Sequence, residues 1–294
     1  MSATEQFRAA IVAAGMEAPS DLNPDGKIHR FSPTGKRTDD AGWYVLHLDG
    51  TTAGAFGDWR TGLVQCWCAA DDRTMTAAER KALAQRMDAM RRQRDAEQRQ
   101  RRADAASAAA IRWAAATPAD EHPYLIAKGN RAHGIRVEAG HTLLIPMRDT
   151  EGRLHSLQSI APDGAKRFMP GGRVKGCYHA IGQPSGRLVV CEGYATGATI
   201  HEDTGAAVAI AFNAGNLLPV AKALRGKFPC ITLVVAADDD WKTEGNPGMA
   251  AATEAARAVG GLLAVPNFGE LPRADKDTDF NDLHRLAGMV EVHQ

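Results

Sequence analysis

The sequence is poor in cysteine and has no long apolar run. Its five cysteines are an odd number and include no C-x-x-C pair, which argues against both a disulfide scaffold and a zinc ribbon. No stretch reaches the roughly 18 apolar residues that span a bilayer, and the N-terminus has no basic region followed by an apolar run. We therefore expect a protein of a reducing compartment without a membrane segment.

The sequence also has no excess of charge of one sign. Its 35 basic residues balance its 35 acidic residues, so any surface that binds a polyanion must be local. Hydrophobic residues make up 44% of the 294 positions, which is enough for a sizeable core and for two or three domains.

Changes in composition divide the chain into four regions. Residues 1–72 alternate short apolar runs with Gly and Asp turns, which predicts a small β-rich module. Residues 73–117 include a long run of strong helix formers without glycine or proline, which predicts a long, solvated helix that links two modules. The arginines of this helix either form a solvated face or contact nucleic acid.

The two C-terminal regions have different textures. Residues 118–184 contain strand-like runs separated by short EG and DG turns, which predicts a β-meander. In residues 185–294, short apolar strands alternate with helices. These strands show no polar alternation, as expected when helices cover both faces, so we predict a parallel βαβ sheet.

Acidic residues follow the strands of this predicted sheet. They form three clusters: Glu192, the run Asp238-Asp239-Asp240, and Asp277, Asp279 and Asp282. In open parallel sheets, ligands bind at the carboxyl ends of the strands, so the three clusters should meet at one edge. A spacing of two along an extended segment places Asp238 and Asp240 on one side, with Asp239 pointing away.

The chemistry of these clusters favours a metal site. Carboxylate oxygens suit Mg²⁺ or Mn²⁺, and two such ions about 4 Å apart stabilise both the attacking and the leaving oxygen of an in-line displacement. A single strand-end glutamate can simply be solvated, and the aspartate run can cap a helix. An EF-hand loop is excluded, because Lys242 stands where the fifth-position ligand should be.

The order of these motifs resembles a TOPRIM domain. The segments at 191–200, 236–252 and 276–283 are most similar to the TOPRIM primases of plasmids, phages and integrative elements, which are relatives of the bacterial replicative primase. Residues 145–182 resemble the core that precedes this domain. The resemblance implies an α/β fold with a TOPRIM parallel sheet flanked by helices. A mixed β-rich core subdomain, the long helix and the small N-terminal module would precede it.

The resemblance also implies residue roles. Glu192 would bind metal or act as general acid/base, and Asp238 and Asp240 would be the principal Mg²⁺ ligands. Asp277 and Asp279 would complete the acidic ring. A basic strip ahead of the fold would hold template and nucleotide: Arg148, Lys166, Arg167 and Lys175, together with Lys128 and Arg131.

The sequence departs from the replicative primases in two places. Thr196 stands where an aspartate is usual, and the N-terminal zinc ribbon is missing, so we expect no zinc. Residues 25–67 instead resemble the N-terminal segment of the mobile-element primases. Its aromatic residues either stack on single-stranded DNA or form the core of the module; the foremost are Trp43, Phe56 and Trp59.

The leading functional hypothesis is a DNA primase. Such a nucleotidyltransferase would use Mg²⁺ to join NTPs on a single-stranded DNA template in the bacterial cytoplasm, for replication of a mobile element or phage. A separate replicative helicase would be its partner. The alternatives are a TOPRIM nuclease, with water as the nucleophile, and a non-catalytic accessory protein that binds single-stranded DNA, which Thr196 favours.

Overall fold

A computed structural model describes residues 1–37, 39–49, 52–69 and 75–288. The chain forms two compact units, Met1–Gln100 and Arg101–Gln294. In the ranges described, no helix is both long and apolar enough to cross a membrane.

The N-terminal unit is a four-stranded antiparallel sheet with helical cover. Its elements are α1 (Ala3–Ala13), β1 (His29–Phe31), β2 (Gly42–His47), β3 (Ala53–Asp58), β4 (Leu63–Cys68) and the first part of α2 (Ala77–Ala115). The strands lie in the order β1-β2-β3-β4. Phe7 and Ile11 of α1 pack into one aromatic core with Tyr44 and Phe56, whereas Met90 of α2 packs into a second core with Trp43.

The long helix α2 confirms the helical prediction but is not solvated throughout. A capping box starts it: Thr76 Oγ1 accepts a hydrogen bond from Glu79 N, and Glu79 Oε2 accepts one from Thr76 N. Met90 is 3% exposed within the first unit, and Ala109 is fully buried within the second. Short alanines and flexible methionines let even a sparse apolar stripe pack closely.

The second unit begins with an antiparallel meander, as predicted. After α2 come β5 (Thr117–Pro118), α3 (Pro123–Lys128), β6 (Arg136–Glu138), β7 (Thr142–Arg148), β8 (Leu154–Ile160) and β9 (Lys166–Phe168). The five strands lie in the order in which they occur in the chain.

The rest of the unit is the predicted parallel α/β sheet with one added strand. Its elements are β10 (His179–Ile181), β11 (Arg187–Cys191), α4 (Tyr194–Thr204), β12 (Ala207–Ile210), α5 (Ala214–Lys227), β13 (Thr232–Ala236), α6 (Pro247–Ala258), β14 (Leu262–Ala264) and α7 (Phe280–Ala287). The strand order is β10-β12-β11-β13-β14. The last four strands in the chain run parallel, and β10 is an antiparallel edge.

Helices cover both faces of this sheet, which explains its unalternating apolar strands. Val189 and Val234 join the core that includes α4 and α7, whereas Val190 and Val235 join the core under α5 and α6. On the first face, a Cβ at Gly197 of α4 would lie 2.7 Å from Ile210 Cγ1, so this close approach requires glycine.

Candidate active site

The carboxyl ends of the parallel strands carry the acidic clusters to one edge of the sheet. Glu192 follows β11, and residues 238–240 follow β13, its direct neighbour. The segment after β14, the next strand, leads through Asp277 and Asp279 into α7. Strand β13 itself ends at Ala236, so the aspartate run lies in the loop beyond it.

Glu192 is held at the point where the chain leaves β11. Its backbone oxygen accepts a hydrogen bond from Phe212 N at 2.8 Å, and its carboxylate accepts one from Ala214 N at the start of α5. Burial and the charge of Asp240 raise the pKa of Glu192, which the hydrogen bond from Ala214 opposes. Glu192 is therefore a partly desolvated carboxyl that faces other carboxyls.

Asp238 has the least favourable surroundings for a charged carboxylate among these acids. Burial raises its pKa well above the ordinary range, and the charges of Asp279, Glu192 and Asp240 raise it further. Within the described part of the chain, its buried Oδ1 atom has no hydrogen-bond partner. A buried carboxylate oxygen without a donor is costly, and a bound cation would remove that cost.

Asp279 joins this group from the start of α7. It is the N-cap of that helix, where Oδ1 accepts a hydrogen bond from Asp282 N at 2.9 Å. Its Oδ2 accepts a hydrogen bond from Thr196 Oγ1 at 2.8 Å. Burial and the charge of Asp282 raise its pKa. Thr196 thus supplies a donor to the acidic group at the position where an aspartate is usual in replicative primases.

Asp240 is tied to the start of α6. Its Oδ2 accepts a hydrogen bond from Gly248 N at 2.9 Å. A Cβ at Gly248 would lie 2.5 Å from Asp238 O and 2.9 Å from Asp240 Oδ2, so only glycine permits this approach. The negative charge of Asp240 also raises the pKa values of Glu192 and Asp238.

Asp239 points away from the other two aspartates of the run, as the spacing predicts. Its Oδ2 accepts a hydrogen bond from Arg273 Nη1 at 2.8 Å, and its Oδ1 accepts one from Asn246 Nδ2 at 2.7 Å. The ion pair with Arg273 is largely buried. Asp239 therefore fixes the loop rather than facing the acidic group.

Asp277, which the sequence predicts as a member of the acidic ring, is paired within the protein. Its carboxylate accepts hydrogen bonds from Ala274 N at 2.9 Å and from Arg285 Nη2 at 2.5 Å. Because these donors stabilise the charged form, they lower its pKa, in contrast to the acids above. Both of its oxygens are already satisfied by the protein, so Asp277 braces the loop before α7.

Sequence reasoning missed Asn246, which organises the aspartate loop. It has a left-handed backbone (φ 42°) and is the N-cap of α6. Its Oδ1 accepts a hydrogen bond from Asp240 N at 2.9 Å, while its Nδ2 holds Asp239. The signal was present in the sequence, because Asn followed by Pro and Gly is a common helix start.

Two lysines of the predicted basic strip lie near the acidic group. Burial of the Lys166 ammonium group lowers its pKa. The charges of Asp279, Asp238 and Glu192 act in the opposite direction. Its Nζ lies 5.8 Å from the centre of the Tyr124 ring. Lys128 lies 3.9 Å from Asp282 Oδ1 and lowers the pKa of Asp279. Both side chains retain exposed surface that a ligand can reach.

The other basic residues have different surroundings. Arg148 donates to Gly152 O at 2.9 Å, and its guanidinium carbon lies 5.8 Å from the Trp113 ring centre. Arg131 lies 3.9 Å from Glu202. Arg167 and Lys175 are exposed. Lys166 and Lys128, rather than Arg148, are therefore the cations beside the carboxylates.

The foremost N-terminal aromatics belong to the core of their module. Phe56 is 1% exposed and packs edge-on against Phe7, and Trp43 is 2% exposed. Burial to this degree leaves no ring face for a base, so the structure contradicts the stacking alternative for these two residues. Trp59 is half-buried, with its ring centre 5.4 Å from that of Trp43.

The acidic group fits a hard divalent cation. It offers carboxylate oxygens only, one of them buried without a donor, and burial together with mutual repulsion raises the pKa values of Glu192, Asp238 and Asp279. Over the ranges that the structure describes, no three His, Cys, Asp or Glu side chains form a preassembled metal cage. Mg²⁺ does not require one, since it commonly uses one or two carboxylates together with waters and substrate phosphates.

The sheet and its acidic edge define a known class of domain. Residues 187–289 match the family model of the Toprim domain. This range runs from β11 to the end of α7, so it contains the four parallel strands and all the acids discussed above. Residues 187–289 are a Toprim domain.

Beyond this domain, the chain is similar to two Escherichia coli proteins named DNA primase TraC. One is 35% identical over 98% of this chain and 29% of its own length, and the other is 36% identical over 91% of this chain and 20% of its own length. The predicted resemblance to TOPRIM primases is thereby confirmed. The chain spans less than a third of the length of these relatives.

A weaker likeness exists among solved structures. The primase fragment of the bacteriophage T7 primase-helicase protein is 19% identical, with a TM-score of 0.41, over 55% of this chain and 68% of its own.

Proposed function

We propose that this chain is a DNA primase that joins NTPs into short primers on single-stranded DNA with Mg²⁺ as cofactor. The observation that carries the proposal is the group of uncompensated carboxylates at the Toprim edge, above all the buried Asp238 Oδ1. Similarity to proteins named DNA primase over 98% of the chain supports primer synthesis as the use of this centre. The bacterial cytoplasm is the proposed site of action, and a separate replicative helicase would supply the template.

The proposed metal ligands are Asp238, Asp240 and Glu192, with Asp279 as a further acid of the ring in place of Asp277. Bound Mg²⁺ would neutralise negative charge that develops on the phosphates during transfer. Gly248 N and Ala214 N hold the carboxylates of Asp240 and Glu192 in place. Glu192, whose pKa is raised by burial, would also take a proton from the attacking hydroxyl.

The lysines beside the acids would position the substrate. Lys166 and Lys128 present ammonium groups where a triphosphate would approach the carboxylates, which would otherwise repel it. The 3′-hydroxyl of one nucleotide attacks the α-phosphate of the next, the bond to the β-phosphate breaks, and pyrophosphate leaves. Exposed Arg167 and Lys175 would contact the phosphate backbone of the template.

Incubation of the full chain with single-stranded DNA, labelled NTPs and Mg²⁺ or Mn²⁺ tests the proposal. We expect labelled oligoribonucleotides that require both metal and template. Shortened DNA would instead identify a nuclease, and binding without either product would identify an accessory protein. Either of these outcomes would overturn the proposed primase activity.

A further inference from the structure

An exposed tryptophan follows the aspartate run directly. Trp241 is 41% exposed, although large aromatic side chains usually find cover. Two cations flank its indole ring: Lys242 Nζ lies 4.1 Å and Arg273 Cζ 4.9 Å from the ring centre. Trp241 follows Asp240 directly in the chain, and its ring lies against Arg273, the residue that holds Asp239.

Arg273 fixes the orientation of this ring. Its Nε donates to Asp277 O at 2.7 Å, and its Nη1 and Nη2 donate to the Asp239 side chain and backbone, each at 2.8 Å. The guanidinium carbon also lies 4.1 Å from the ring centre of buried Phe268. Because Arg273 is held from three directions, the indole rests on a rigid support.

Lys242, in contrast, is loosely held. Its side chain is 51% exposed, and its ion pair with the exposed Asp275 spans 3.5 Å. Exposed pairs of this kind contribute little stability and are screened by salt. Lys242 can therefore move aside for a planar ligand without breaking a buried contact.

A rigid, exposed indole with a mobile cation beside it suits a nucleobase that carries a phosphate. Bases stack on aromatic faces regardless of their sequence, and nearby cations bind the backbone. We infer that Trp241 holds a nucleobase beside the aspartate loop and that Lys242 binds a phosphate of the same ligand. The inference rests on the proposed function, and it identifies Trp241 as a positioning residue.

Intrinsic tryptophan fluorescence tests this inference without measuring catalysis. Base stacking on Trp241 should quench the emission of the full chain when an oligothymidylate, or ATP with Mg²⁺, is added. Trp241→Phe should remove that quenching but retain most of the affinity, measured by anisotropy of a labelled oligonucleotide. Trp241→Ala should weaken binding of the quenching ligand about 5- to 100-fold, the usual range for one stacked base.

Trp113 provides a matched control. Like Trp241, it lies against two cationic side chains, with Arg136 Cζ at 4.7 Å and Arg148 Cζ at 5.8 Å from its ring centre, but it is packed at the meander core. Trp113→Phe should leave the quenching intact. Quenching that persists undiminished in Trp241→Phe, or that disappears in Trp113→Phe instead, would overturn the inference.

The two probes distinguish the source of the base. Quenching by the oligothymidylate alone identifies a DNA strand, and quenching by ATP alone identifies the incoming nucleotide; quenching by neither overturns the inference. Primer synthesis by the wild type without any quenching would refute the role of Trp241 but not the primase. Quenching without primer synthesis would keep the base site and refute the primase.

Discussion

Two sets of carboxylates share the edge of the Toprim sheet and have opposite surroundings. Asp239 and Asp277 are neutralised by Arg273 and Arg285. Glu192, Asp238 and Asp279 instead repel one another, and burial raises their pKa values. The paired set braces the loops, and the unpaired set is the one proposed to bind a cation from solution. Charge pairing, rather than acidity in the sequence, thus separates the acids that brace the loops from those that we propose bind metal.

The largest expected effect is the loss of primer synthesis when the unpaired set is changed. Asp238→Asn or Glu192→Gln should lower the rate by about 10²–10⁴-fold, as when a positioned catalytic group is removed. Labelled-primer assays measure this, with circular dichroism to show that the fold persists.

The matched control for that change is Asp277→Asn. It should retain most of the activity, after correction for folded protein, because Asp277 is paired with Arg285. An activity loss as large as that of Asp238→Asn would return Asp277 to the metal site.

Stability should respond in opposite directions to changes in the two sets. Without metal, Asp238→Asn should raise the free energy of unfolding by about 0.5–2 kcal/mol, since it removes the cost of burying a carboxyl group that is ionised in the unfolded chain. Asp239→Asn should lower it by about 1–3 kcal/mol, since Arg273 then loses its charged partner. Thermal melts in the presence of a chelator test this prediction. Melting temperatures that shift in the same direction in the two variants would contradict the difference between the two sets.

A smaller change at Gly248 should disturb the unpaired set through packing. Gly248→Ala places a Cβ against Asp238 O and should lower the free energy of unfolding by about 1–3 kcal/mol. Its activity should also require a higher Mg²⁺ concentration. Gly226→Ala in α5 is the control: its Cβ would meet no described atom within 4 Å, so it should be neutral or slightly stabilising. Equal melting temperatures for the two variants would contradict this packing account.

The smallest expected effect is the change of metal affinity and of metal-free stability with pH. Because the folded-state pKa values of Glu192, Asp238 and Asp279 are raised, these carboxyls keep protons that a metal must displace. Metal affinity should therefore increase with pH, by up to about tenfold per pH unit per displaced proton, and level off above the raised values. Metal-free stability should fall over the same interval, because the unfolded chain releases these protons at lower pH. An affinity that does not change with pH would contradict the raised pKa values.

The sequence predicted part of the site well. Alternation along an extended segment separated Asp239 from Asp238 and Asp240, and strand order brought Glu192 beside them. These are local or topological consequences of the pattern.

Other features depend on contacts that the local pattern does not contain. In the sequence motif Asp277 resembles Asp279, but Arg285, which lies in the following helix α7, neutralises it. Similarly, the sequence allows Phe56 to be a stacking residue, but in the structure Phe7 of α1 packs against it. Pairing and cover are set by tertiary packing, so charge and aromatic content alone could not assign these residues.

Metal binding by the unpaired set is the most direct test of the account. Mn²⁺ can replace Mg²⁺ at carboxylate sites, and its free form can be followed by electron paramagnetic resonance during titration with NTP present. Wild type and Asp277→Asn should bind Mn²⁺ with similar affinity, whereas Asp238→Asn should lose most of that binding. Unchanged binding by Asp238→Asn would contradict the proposed metal site.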